Sequence, residues 1–261
     1  MNAFAFRHPV SFMLILSVAT LILLMLVTGL AYSQLQQSHA NIAMTVARVV
    51  LAVLLLALLA RLDGLQPAGI TRWGSWQVWL VALGSMLLFT GASLFAFYNK
   101  VAFNFSALAQ SPEARTLAWT NLAVVLFEEF LYRGVILYVL TRAWGSTAPG
   151  RVWSVVLAAV LFALPHLTSL LMGVSLRSIL WLVAETFVIA VWWGALVLWG
   201  GSLWPAVVLH LIGNTLVAAQ GLITPVITPE YLAYQRALWF GLPLGVLGIM
   251  LLLLQSRPTP P

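Results

Sequence analysis

Residues Phe127-Glu128-Glu129-Phe130-Leu131-Tyr132-Arg133-Gly134 place two adjacent carboxylates and a guanidinium inside a strongly apolar run. Each such charge at the centre of a membrane helix costs about 2.5 to 3.5 kcal/mol, so three unpaired ones would cost on the order of 8 to 10 kcal/mol. Spacing offsets part of this. Glu129 and Arg133 are four residues apart, share one helix face and can pair. Glu128 projects about 100° away from them. An intramembrane carboxylate without a partner on its own helix marks a functional site by default, so the question is what the rest of the chain brings to meet it.

The chain has 261 residues, 62% hydrophobic and 7% charged, with a mean hydropathy of +1.03. This composition predicts a polytopic, all-α membrane protein and argues against a soluble enzyme. The net charge is +6, but the basic residues are scattered singly, which argues against nucleic-acid binding and leaves the excess to orient the protein in a bilayer. Cysteine is absent, which removes thiol catalysis, Cys-ligated zinc, disulfides and palmitoylation together.

Eight apolar segments of about 20 residues are predicted to cross the bilayer, at roughly 11–32, 40–62, 76–98, 116–138, 153–173, 178–200, 203–221 and 237–255. The first competes with a cleaved signal peptide, but its apolar run is longer than the usual h-region of about 7 to 15 residues, and it reads as a retained anchor. Arg7, Arg61, Arg72, Arg142, Arg151 and Arg257 fall on the face of the termini, against Lys100, Arg115, Arg177 and Arg236 on the other. That bias mildly favours cytoplasmic termini. The long loops, at about 63–75, 99–115 and 222–236, carry Pro, Gly and charge. With no internal repeat and only a short Pro-rich tail, one membrane domain is expected: helices over 1–110, a core over 111–221, and a last loop, helix and tail over 222–261.

Two of the four histidines lie within spans. Phe162-Ala163-Leu164-Pro165-His166 sets an aromatic ring four residues before an imidazole, and Pro165 removes a backbone hydrogen bond. His210-Leu211-Ile212-Gly213-Asn214 stacks an imidazole and a carboxamide on one face. Measured from the 139–152 side, Glu128, His166 and His210 lie roughly 15, 20 and 10 Å deep at 1.5 Å per residue, within one layer. A carboxylate, two imidazoles and a carboxamide suit amide hydrolysis. Glu128 with His166 can deprotonate a water, and His210 with Asn214 can donate to the oxyanion. Two His and a Glu equally suit zinc with a water in the fourth position. Other hydrolytic chemistries lack their parts: the only aspartate is Asp63, in a loop, and neither a His-Glu-x-x-His helix nor a Gly-x-Ser-x-Gly elbow occurs.

Glu128-Glu129-x-x-x-Arg133, Phe162-x-x-x-His166 and His210-x-x-x-Asn214, in that order, resemble the three motifs of the CPBP family, the CAAX proteases and bacteriocin-processing enzymes also called Abi. The resemblance covers about residues 115–220. It implies a multi-helix intramembrane endopeptidase in which Glu128 activates water with His166, His210 and Asn214 form the oxyanion site, and Glu129, Arg133 and Phe162 support them. It also implies a metal-free glutamate mechanism, with zinc held by Glu128, His166 and His210 as the alternative. Expected partners are the lipid bilayer, a hydrophobic or membrane-anchored peptide substrate and a membrane protein complex. The use of eleven Arg to one Lys points to a GC-rich bacterial genome and hence to a bacterial inner membrane, where bacteriocin leaders, pheromones or membrane-protein segments are more plausible substrates than prenylated proteins.

Blander readings exist for each feature. A non-catalytic subunit or scaffold that keeps the fold is the main alternative. A transporter or proton relay is disfavoured by the lack of repeat symmetry. A lone His166 would usually rescue backbone groups freed by Pro165, and His210 with Asn214 would serve as interhelical glue. Glu185, alone in the sixth segment, is expected either to contact Arg48 or a backbone group or to line the substrate path. Trp192, Trp193, Trp199 and Trp204 read as an interfacial belt, and Gly134, Gly173, Gly194 and Gly213 as packing or turn positions.

Overall fold

A backbone in lipid must satisfy its polar groups internally, and the described residues do so with helices and no strand. The structure, a computed structural model, describes residues 2–98, 112–223, 233, 234 and 236–255. Its helices are α1 (Asn2–Arg7), α2 (Pro9–Gln34), α3 (Gln37–Arg61), α4 (Trp76–Tyr98), α5 (Pro112–Glu129), α6 (Leu137–Trp144), α7 (Ala148–Ala163), α8 (Leu176–Gly200), α9 (Trp204–Ile223) and α10 (Leu242–Leu254). Between α5 and α6 the chain runs as a π-helix over Phe130–Ile136. A 3₁₀ stretch over Leu164–Met172 continues α7, and a second π segment, Ala237–Gly241, leads into α10.

The eight predicted segments fall on α2, α3, α4, α5 through α6, α7 with its 3₁₀ extension, α8, α9 and the run into α10. Five of these are long and apolar enough by themselves to cross a membrane, and α4 and α9 contain shorter apolar stretches. The fold is that of a polytopic membrane bundle. α5 starts at Pro112, earlier than predicted, as suits a proline in a first helical turn. Lys100 with most of the loop at 99–115, most of the loop at 222–236, and Arg257 with the tail lie outside the described residues.

The centre of the bundle is the run through α5 and α6, where every residue from Glu129 to Leu140 is buried. Its charges therefore face protein rather than lipid. α8 zips onto the last helix along a stripe of three- and four-residue steps. Trp181 meets Tyr234 edge-on at 4.7 Å, Glu185 pairs with Arg236, Val188 packs on Gly241 and Gly245, and Trp192 and Ala195 pack on Gly248. Arg151 closes this end of the bundle, donating to the carbonyls of Leu252 (3.2 Å) and Gln255 (2.9 Å) where the final helix ends.

The loop after α3 seats on the start of α9. Leu203 N donates to Gly69 O (3.2 Å), Trp204 Nε1 to Ile70 O (2.9 Å) and Ser202 Oγ to Arg72 O (2.7 Å). Gly69 has φ +78°, and a Cβ there would come within 2.6 Å of Ser202 Cα. Gly69→Ala is therefore expected to lower stability by about 1–3 kcal/mol, read from thermal unfolding in detergent.

Two tryptophans of the expected belt turn inward, and a third is half-buried and anchored at a segment end. Trp192 is buried and donates its Nε1–H to Ser85 Oγ (3.1 Å), Trp193 packs beside His210, and Trp204 is tied to Ile70. Each ring has an internal polar or aromatic partner, so the end of a segment in sequence is not its lipid-facing end. Gly194 is a packing position, with Val155 Cγ1 3.1 Å from where its Cβ would be, and Gly173 (φ +81°) is a left-handed turn. Gly213 meets nothing within 4 Å and instead borders a cavity.

Candidate active site

The polar core begins where the α-helix ends. Glu128 and Glu129 are the last residues of α5, and the π turns that follow carry Arg133. π turns inside α-helices concentrate at functional sites. Glu129 is fully buried, and its Oε1 accepts from Arg133 Nη1 at 2.8 Å, as their spacing predicts. The guanidinium carbon lies 4.0 Å above the Phe162 ring and 5.4 Å from that of Trp193, a cation–π cage in place of solvent.

His210 reaches the same carboxylate from α9, with Nδ1 2.8 Å from Glu129 Oε1. A carboxylate that pairs with arginine is ionised and can only accept, so Nδ1 carries the proton and donates. The other ring nitrogen, Nε2, lies 3.6 Å from Glu128 Oε2. Trp193 lies against the imidazole at 4.8 Å and 33°. His166, on the 3₁₀ stretch after Pro165, has Nδ1 3.2 Å from Ala163 O. A carbonyl cannot donate, so this ring also presents Nε2 without a proton when neutral.

Phe162 joins these groups. Its ring contacts Tyr132 (5.2 Å), His210 (5.6 Å) and His166 (6.0 Å), each at a steep angle. Two cavities flank it. The larger, about 150 Å³, is bordered by His166, His210, Asn214, Glu185 and Arg236 on an otherwise mostly apolar wall. The smaller, about 70 Å³, is bordered by Glu128, Tyr132, His166 and residues of α2. The structure thus brings Glu128, His166, His210 and Asn214 around one junction, with Glu129, Arg133 and Phe162 directly behind it.

Two placements differ from the sequence reading. Glu185 pairs not with Arg48 but with Arg236, through Nε to Oε1 and Nη2 to Oε2 (3.0 Å). Arg236, read as a loop residue, is buried at the start of the last helical run. Both border the larger cavity, and Glu185 lies within electrostatic reach of His166. Glu185→Leu would leave the buried guanidinium without its carboxylate and is expected to cost about 3–5 kcal/mol in thermal unfolding. Arg48 instead interacts electrostatically with Glu128 from α3.

Sequence reasoning missed Arg48, Trp193 and Tyr132. Tyr132 stands four residues from Glu128, a spacing that signals a shared face. Nothing local in sequence marks the other two. Among the described residues no group of three His, Asp or Glu side chains is placed to hold a metal ion.

Fold and site together define a polytopic helical membrane protein with a carboxylate–imidazole–carboxamide cluster at the junction of two internal cavities. Residues 110–216 match the family model of the Type II CAAX prenyl endopeptidases, Rce1-like. The match covers less than half of the chain, runs from α5 into α9, and takes in all three motifs, in agreement with the resemblance read from them. Neither a curated protein nor a solved structure matches the chain.

Proposed function

We propose that this protein is an intramembrane endopeptidase that hydrolyses a peptide bond of a hydrophobic or membrane-anchored substrate. The observation that carries the reading is the position of Glu128, which borders a cavity with His166 and lies 3.6 Å from His210 Nε2. The family match over residues 110–216 supports it.

In the proposed reaction Glu128 accepts a proton from water, assisted by the free Nε2 of His166. The hydroxide adds to the substrate carbonyl, and the negative charge develops on its oxygen. Asn214 Nδ2 and His210 Nε2 face that oxygen as donors, each worth about 2.7–4 kcal/mol in such sites. Because Glu129 holds the His210 proton on Nδ1, Nε2 can donate only when the ring is doubly protonated. The proton taken by Glu128 then passes to the leaving amine, which closes the cycle without net proton change.

The apolar wall of the larger cavity fits a hydrophobic substrate segment. The arginine-rich composition and loop charges support placement in a bacterial cell membrane with cytoplasmic termini. The test incubates the full chain in proteoliposomes with hydrophobic peptides, with and without a prenylated C-terminal cysteine, in H₂¹⁸O. Mass spectrometry is expected to find one cleaved bond with ¹⁸O in the new carboxylate. Intact peptides throughout would favour the scaffold reading.

A further inference from the structure

The two cavities divide the cluster between them. Of the two, Glu128 borders the smaller and His210 with Asn214 border the larger, while Phe162 and His166 form part of the wall of both. Glu128 Oε2 on the one wall and His210 Nε2 on the other are 3.6 Å apart. Both linings mix polar and apolar groups, and the two differ chiefly in size. The larger has Leu182, Ile189, Trp192 and Val217 as apolar surface. The smaller, about 70 Å³, gathers Glu128, Tyr132, His166 and Thr20 beside Leu21, Leu24, Phe127 and Pro165 in a space for a few waters at about 30 Å³ each, and it is too confined for an extended peptide.

On the α2 side the small cavity is bordered by Leu21, Leu24 and one hydroxyl, that of Thr20. Thr20 Oγ1 donates within its own helix, to Leu16 O (2.8 Å) or Ser17 O (3.0 Å), which leaves its lone pairs to accept. Ser17, one turn away but outside the lining of the cavity, has a buried Oγ with no partner among the described residues. Buried polar groups of this kind are ordinarily satisfied by internal water.

We propose that the small cavity between α2 and α5 is the hydrolytic-water site, so that water and peptide reach the reacting carbonyl from opposite sides of the Phe162–His166 wall. This deepens, and rests on, the endopeptidase reading. Glu128 then takes a proton from a water on its own side, and the hydroxide adds to the carbonyl carbon, the negative charge passing to the carbonyl oxygen turned toward the donors His210 and Asn214.

The native chain contains no cysteine, so an introduced thiol is unique. Leu24 borders the small cavity, whereas Leu23, at the same depth, is 46% exposed on the outer face. In membrane vesicles, methanethiosulfonate-ethylammonium should modify Leu24→Cys at least about tenfold faster than Leu23→Cys, because only a hydrated thiol ionises to the reactive thiolate. Equally slow modification of both would overturn the proposal even in a protein that cleaves.

A second arm uses the peptide cleaved in labelled water. Leu24→Trp, which fills the small cavity, should lower kcat about tenfold or more at unchanged KM, and Val217→Trp in the larger cavity should raise KM. A rise in KM for Leu24→Trp would assign the small cavity to the substrate instead. Absence of any wild-type cleavage would sink the endopeptidase reading itself and the hydrolytic role with it, a result distinct from an inert thiol at position 24.

Discussion

Glu128→Gln is expected to lower kcat by about 10²- to 10⁴-fold, the range for removal of a general base, while the protein folds as before. The substitution keeps the size and shape of the side chain and removes only its ability to take a proton. Stability should change little because the Glu128 side chain is 26% exposed to its cavity, and its nearest charged-pair contact is His210 at 3.6 Å. KM should also change little, since Glu128 borders the small cavity rather than the one with the apolar wall. The measurement is turnover of the cleaved peptide beside a thermal unfolding curve in the same detergent. A variant that cleaves at the wild-type rate would falsify the role given to Glu128, whatever its stability.

Glu129→Gln tests the carboxylate next door, and its consequence differs although the chemical change is the same. In the native protein Glu129 accepts from both Arg133 and His210 and so keeps the histidine proton on Nδ1. A glutamine can satisfy Arg133 with its oxygen and must then turn its amide toward His210, donating to Nδ1. The proton moves to Nε2 and the doubly protonated ring loses its anionic partner. Loss of the anion that supports the doubly protonated ring is expected to lower kcat and, because the neutral ring now donates from Nε2, to shift the kcat pH profile in a way that a purely structural defect would not. Glu129 is fully buried, so a loss of stability of a few kcal/mol accompanies it, and the pH profile separates the two effects.

Features local to one helix were legible without coordinates. The Glu129–Arg133 pair follows from a four-residue step, and the 3₁₀ stretch at His166 follows a proline that removes a backbone hydrogen bond. The shared depth of Glu128, His166 and His210 followed from counting residues along antiparallel helices, and the polar groups do meet at one junction. Partners across helices were another matter. Glu185 offered no sign that Arg236, from the far end of a long loop, would cross to it rather than Arg48. Trp193 read as a belt residue because position along a helix does not reveal which face points inward when the whole helix is apolar.

The amino-acid sequence by itself determined that this is an all-helical membrane protein with eight apolar segments, and it marked the carboxylates, imidazoles and carboxamide of the cluster. These depend on hydropathy, spacing and the cost of charge in lipid, all short-range quantities. Tertiary structure alone decided that Glu129 orients His210, that Arg48 lies within electrostatic reach of Glu128, and that Phe162 and His166 form part of the wall of both cavities. Each of these depends on how helices far apart in sequence rotate and approach one another. In lipid, apolar periodicity specifies that rotation only weakly, because lipid and protein interior are equally apolar and side-chain packing and polar contacts make the choice.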